Sequence, residues 1–196
     1  MHPYLIVMSL ALMAAPPALS VRHEQLADLG GEHLAQAIYR RTADGGAIVA
    51  WGERVVQWPL GERRLHEVFA RQGELHFYNG GCALDVTGDG ADEIVVSRGR
   101  TRSGSDPELI WLEEQTPGQP WISHRIDLLG RGPIAPHDIH PFAANRPDGT
   151  KLRGIVVVLD RRVLAWYEMP ADPKQAWPRH ESDETRRSVH RASCRR

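Results

Sequence analysis

A repeat of about 57 residues limits most strongly how this chain can fold. Three histidines mark the repeat and lie 58 and 56 positions apart: His66, His124 and His180. Upstream of each histidine lies a β-prone run with one tryptophan: Trp58, Trp111 and Trp166. A repeat of this length that carries two to four short strands is typical of the blades of a β-propeller.

Short β-branched runs occupy corresponding places in the three repeats. Ala47 to Trp51 and Val55 to Trp58 flank Gly52-Glu53-Arg54, which predicts a hairpin. The runs of the later repeats are Ile94 to Ser97, Leu109 to Glu113, Ile155 to Asp160 and Val163 to Tyr167. Glycine and proline fall between these runs, and no helical periodicity is present. We therefore predict an all-β domain over residues 45–180, with about three propeller-like blades in a partial or open ring.

The two ends of the chain differ from this repeat region. Residues 1–20 hold an uncharged apolar run from Tyr4 to Ala15 and end in small residues, which predicts a signal peptide cleaved after Ser20 and an exported protein, periplasmic or extracellular. Residues 21–44 predict no definite element. Residues 181–196 contain no aromatic residue and one β-branched aliphatic residue, so we predict a disordered tail.

Charge and cysteine content argue against several classes of protein. The formal net charge is −1, which argues against nucleic acid or an anionic membrane surface as the partner. No segment after the signal is long and apolar enough to span a membrane. Cys82 and Cys194 are too few for a disulfide-stapled scaffold.

The stretch from Asp85 to Glu93, DVTGDGADE, carries the clearest chemistry. Oxygen-bearing side chains alternate along it, and the carbonyl of Ala91 can add a backbone oxygen. The predicted metal ligands are Asp85, Thr87, Asp89, Ala91 and Glu93. Calcium takes six to eight oxygen ligands, and Gly88 and Gly90 allow the backbone to curl around an ion. We predict one structural calcium ion here.

The same stretch has two alternative interpretations. An EF-hand begins in the same way, but its twelfth position requires a bidentate glutamate and here is Val96. The run after Glu93 is β-branched, so the loop leads into a strand instead of a helix. A solvated Asp-Gly turn without an ion remains open as the second alternative.

The segment ALDVTGDGADEIVVSRG, residues 83–99, resembles the FG-GAP or VCBS-type repeat of secreted bacterial β-propellers. The stretches ELIWLEE, PWISHRI and VLAWYEMPADPKQAWPRH look like the strand and Trp…His segments of that repeat. The resemblance covers Leu75 to His180, and less closely Gly45 to Ala70. It implies a propeller fold, structural calcium and use as a binding or adhesion module. Two positions depart from the family pattern: Thr87 stands where Asp or Asn is commoner, and Glu93 stands where Asp is commoner. The corresponding stretch of the next repeat, residues 145–150 (NRPDGT), lacks alternating carboxylates, so we predict one occupied loop.

No residue set predicts catalysis. His137, Asp138 and His140 form the densest histidine group, but strand alternation points His137 and His140 to opposite faces. The tryptophans could form a sugar-stacking surface, although their positions in the repeat favour core packing. We find no GxSxG, Walker loop or CxxC pattern.

The sequence therefore predicts a non-enzymatic, exported calcium-binding repeat module that binds protein or glycan. The alternative is a secreted propeller enzyme, a lyase or hydrolase, acting on polysaccharide. An incomplete ring would leave open sheet edges, through which copies of the chain could associate.

Overall fold

A computed structural model describes residues 34–62, 64–100, 107–129, 136–159 and 163–182. These residues form twelve β-strands in three four-stranded antiparallel sheets, and in each sheet the strands follow one another in chain order. Sheet 1 contains β1 (Leu34–Thr42), β2 (Gly45–Gly52), β3 (Val55–Pro59) and β4 (His66–Phe69). Sheet 2 contains β5 (His76–Leu84), β6 (Glu93–Gly99), β7 (Glu108–Glu113) and β8 (Ile122–Leu128). Sheet 3 contains β9 (Pro136–Asn145), β10 (Lys151–Leu159), β11 (Val163–Glu168) and β12 (Arg179–Glu181). The prediction of an all-β chain is confirmed.

Sheet 2 lies between the other two sheets, and its middle strands β6 and β7 are buried on both faces. Every residue of β6 is buried, because alternate side chains enter two different cores. Ile94 and Val96 pack in the core shared with sheet 1, whereas Val95 packs in the core shared with sheet 3. The β-branched run that predicted this strand is therefore the signature of a strand covered on both sides.

The predicted strands appear close to their expected bounds. The hairpin around Gly52-Glu53-Arg54 joins β2 to β3, and the runs in the second and third repeats form β6, β7, β10 and β11. β1 lies within residues 21–44, where the sequence predicts no definite element. The predicted signal peptide, residues 1–20, and residues 183–196 of the predicted tail lie outside the described residues.

Two of the repeated tryptophans have the same environment, and the third differs. Trp111 stacks on His124 at a ring-centroid distance of 4.1 Å, and Trp166 stacks on His180 at 3.7 Å. In sheet 1 the residue opposite His66 is Gln57, so Trp58 lies one position later and on the other face of its sheet. The predicted equivalence of Trp58 with the other two tryptophans is therefore wrong by one residue.

Glu113 connects the Trp111–His124 stack of sheet 2 to sheet 3. Its Oε2 lies 2.6 Å from His124 Nε2 and 3.4 Å from Lys174 Nζ. Burial raises the pKa of this carboxyl, but the hydrogen bond with His124 and the charge of Lys174 outweigh burial, and the net pKa is lowered. The ionised form is thus the one that the folded state favours.

Replacing Glu113 by glutamine should make the stability of the protein less sensitive to acid. Because folding lowers the pKa of Glu113, its ionised carboxylate stabilises the folded protein at pH values above the unfolded-state pKa, near 4.5. This stabilisation is lost as the pH falls through the lower pKa of the folded state. Urea unfolding at neutral and at acidic pH should show a smaller difference in Glu113→Gln than in the wild type. The surface variant Glu74→Gln should keep the wild-type difference, and an unchanged acid dependence in Glu113→Gln would contradict this assignment.

Cys82 is a core residue with a buried thiol, and burial raises the pKa of this thiol to about 12. Cys194 lies outside the described residues. Among the described residues there is no helix long and apolar enough to cross a membrane.

Candidate functional site

The predicted calcium loop connects β5 to β6 and is the longest connection between the first and second strands of any sheet. It covers residues 85–92, whereas β1 and β2 are joined by residues 43–44 and β9 and β10 by residues 146–150. Gly88 and Gly90 have φ angles of 80° and 94°, in the left-handed region that favours glycine. These two residues allow the loop to fold back and deliver Glu93 into β6.

The two aspartates of the loop each hold a backbone amide. Asp85 Oδ1 accepts a hydrogen bond of 2.7 Å from the amide of Gly88, and Asp89 Oδ1 accepts one of 2.8 Å from the amide of Ala91. Such contacts are the usual way in which aspartate stabilises a tight turn. In both residues the second oxygen, Oδ2, accepts no hydrogen bond from a described residue.

Glu93 joins the two ends of the loop through hydrogen bonds made by its buried side chain. Its side chain is buried, and Oε2 accepts hydrogen bonds from the amides of Val86 at 2.7 Å and Thr87 at 3.1 Å. The hydroxyl of Thr87 lies 3.4 Å from Oε1. Burial raises the pKa of this carboxyl, while the two backbone hydrogen bonds oppose that shift. Glu93 and Thr87 are thus already paired with each other.

The donor set of the loop suits a hard cation, since the predicted ligands present oxygen atoms alone. In the described part of the chain, no three His, Cys, Asp or Glu side chains are grouped so as to hold a metal ion. Asp85 and Asp89 each keep one carboxylate oxygen that accepts no hydrogen bond from a described residue, and the Thr87 hydroxyl and the Ala91 carbonyl lie in the same loop. The donor chemistry of these residues therefore fits calcium.

The loop also contacts sheet 1, through a residue that sequence reasoning did not single out. Asp92 Oδ1 pairs with Arg41 Nη2 at 2.8 Å, and Asp92 Oδ2 accepts a 3.0 Å hydrogen bond from the Arg41 amide. The backbone carbonyl of Asp92 accepts a hydrogen bond from Arg40 Nε. Asp92 precedes Glu93 and alternates with it, so its side chain leaves the loop on the opposite side.

On its other side the loop contacts sheet 3. The guanidinium of Arg153, from β10, donates through Nη2 to the backbone carbonyl of Asp85. Val86 packs in the core shared by sheets 2 and 3. The loop is therefore bonded to all three sheets, and no pattern along the sequence indicates this, because Arg41 and Arg153 are remote from it in the chain.

Arg40 is a buried charged residue at the contact between sheets 1 and 2. Only 2% of its surface is exposed. Nη1 donates to Gln57 Oε1 at 2.8 Å and to Glu114 Oε2 at 2.7 Å, and the guanidinium lies 4.6 Å from the centre of the Trp121 ring. A buried arginine is tolerated because each of these partners satisfies part of its charge.

The predicted histidine group does not form a convergent site in the described residues. Ile139 is buried in the core, while Asp138 and His140 are exposed on the opposite face of β9. The side chain of His137 lies outside the described residues. Asp138 and His140 line an open cavity of about 290 Å³, together with Gln36 of β1 and Gly81 of β5.

Comparisons with family models, with curated proteins and with solved structures find no match to this chain. The resemblance to the FG-GAP or VCBS-type repeat thus stays a prediction from the sequence.

Proposed function

We propose that this chain is an exported, calcium-stabilised repeat module that binds protein or glycan and has a partial β-propeller arrangement. The position of the loop 85–92 carries the proposal. It is the one long connection between first and second strands in the described sheets, it presents oxygen donors, and it is bonded to sheets 1 and 3. An ion held there would stabilise the junction of three sheets.

The propeller arrangement is supported by the order and placement of the strands. Three consecutive antiparallel meanders pack face to face, and the first strands of the sheets meet around one cavity that β1, β5 and β9 line. Propeller blades are four-stranded meanders placed around a central channel in this way. Three such sheets packed in succession support the proposal of a partial ring.

Calcium would neutralise negative charge that the loop concentrates. Asp85 and Asp89 would each supply a carboxylate oxygen, Thr87 and Ala91 a hydroxyl and a carbonyl oxygen, and Glu93 would hold the loop neck through its backbone contacts. The bound ion supplies only electrostatic stabilisation. Because it binds the folded loop in preference to the unfolded chain, the free energy of unfolding rises with calcium concentration.

Calcium should therefore raise the melting temperature of the protein, and Asp89→Ala should remove that effect. For an extracellular module with a dissociation constant of about 10⁻⁴ to 10⁻³ M, about 10 mM calcium stabilises by about 1.4–2.7 kcal/mol. For a chain of this size the melting temperature should rise by about 3–10 °C. Thermal unfolding followed by circular dichroism, in calcium and in excess chelator, measures the difference.

The matched control is Asp148→Ala, which removes the aspartate of the Asp-Gly turn between β9 and β10. This variant should keep the wild-type response to calcium, because its turn lacks alternating carboxylates. Identical melting curves of the wild type in calcium and in chelator would refute the calcium site. A response that survives in Asp89→Ala would place the ion elsewhere.

A further inference from the structure

The two interfaces between consecutive sheets use the same positions of the strand pattern. We call the face of a sheet that is directed toward the following sheet its forward face, and the opposite face its rear face. The forward face of sheet 2 packs on sheet 3 through Val95, Leu109 and Trp111, which are all 0% exposed. The rear face of sheet 2 packs on sheet 1 through Ile94, Val96, Ile110 and Leu112.

The forward face of sheet 3 repeats that of sheet 2 but is not covered by a further described sheet. Val156 pairs with Trp166, as Val95 pairs with Trp111. Val158 pairs with Leu164 at the position where Ser97 pairs with Leu109. The side chains of this face are uncovered to different degrees: Leu164 is 47% exposed, and Val156, Val158 and Trp166 are half-buried.

The rear face of sheet 1 repeats the rear face of sheet 2 in the same way. Ile48 pairs with Trp58, as Ile94 pairs with Leu112, and Ala50 pairs with Val56, as Val96 pairs with Ile110. Ile48 and Trp58 are half-buried, and Tyr39, which pairs with Ile48 from β1, is 54% exposed. No other described sheet lies on this face.

We propose that the forward face of sheet 3 binds the rear face of sheet 1 in a second copy of this chain. Both internal interfaces join a forward face to the rear face of the next sheet, and a second copy offers the one rear face that remains. Each copy then presents both halves of the contact, so two arcs of three sheets complete one another. The contact continues the packing already established between sheets 1, 2 and 3, and it uses whole sheet faces instead of sheet edges.

Two variants test the proposal, one on each face. Leu164→Glu places a carboxylate on the forward face of sheet 3, and Ala37→Glu places one on the rear face of sheet 1, where Ala37 lies opposite Ala50. Both positions are exposed, so folding of the single chain is preserved. Sedimentation velocity of the full chain with calcium present should show a dimer that dissociates on dilution. Each variant should raise the dissociation constant by about 30-fold or more, because an unpaired charge buried in an apolar contact is a hot-spot loss.

The matched control is Leu128→Glu, since Leu128 of β8 is 56% exposed but belongs to sheet 2. This variant should dimerise as the wild type does. A wild type that stays monomeric at every concentration overturns the proposal, including the case in which another segment of the same chain covers these faces. A dimer that Leu164→Glu weakens and Ala37→Glu leaves intact would also overturn it, because sheet 3 would then be binding some surface other than sheet 1.

Discussion

Replacing Arg40 by methionine should lower the free energy of unfolding by about 3–5 kcal/mol, the range for removing one partner of a buried ion pair. The substitution leaves Glu114, Gln57 and the carbonyl of Asp92 without their shared donor at the contact between sheets 1 and 2. The stacking of the guanidinium over Trp121 is lost as well. The melting temperature should fall by about 6–20 °C, measured by differential scanning calorimetry.

The neighbouring arginine provides the control for Arg40. Arg41 pairs with Asp92 at 2.8 Å, but its side chain is 54% exposed, so solvent screens the pair. Arg41→Met should therefore cost at most about 1 kcal/mol. Equal losses in the two variants would mean that contact with the loop, and not burial of charge, determines the stability of this junction.

The strands that the sequence predicts are those in the middle of each sheet. β6 and β10 contain runs of valine and isoleucine because neighbouring strands or sheets surround them on most sides. Such positions select β-branched apolar residues, and the selection leaves a pattern that can be identified in the sequence. The hairpin of β2 and β3 is predicted for the same reason.

The first strand of each sheet is not predicted from the sequence. It is an edge strand that pairs with one neighbour only, so its residues need not form a β-branched run. β9 contains Pro136 and Pro141, which an edge strand tolerates because it need not donate every amide. β5 contains Gly80-Gly81, which resembles a turn. At Gly81 the reason is packing, as a Cβ atom there would lie 2.3 Å from the Trp51 ring of sheet 1.

The loop 85–92 shows a similar division between local and long-range information. Its position before a strand, its two glycines and the turn contacts of Asp85 and Asp89 follow from residues close together in the chain. Its bonds to Arg41 and Arg153 depend on sheets that are distant in sequence. The engagement of Glu93 with the loop amides also depends on its burial, which the ligand pattern alone does not indicate.

Replacing Gly154 by alanine should destabilise the protein by about 3 kcal/mol, at the upper end of the range for overpacking a core. Gly154 of β10 is buried, and a Cβ atom there would lie 1.9 Å from the backbone carbonyl oxygen of Tyr167. Since that oxygen belongs to β11, the methyl group can be accommodated only if the two strands move apart. Chemical denaturation should show a lower midpoint with an unchanged m-value.

A second variant identifies which atom causes this loss. The same Cβ would lie 3.0 Å from the Phe142 ring, which is a side chain and can be made smaller. The double variant Gly154→Ala, Phe142→Leu should remain about as unstable as the sum of the two single variants, because the carbonyl of Tyr167 stays in place. Recovery of stability in the double variant would show that the ring is the obstacle. The close approach of β10 and β11 would then not require glycine at this position.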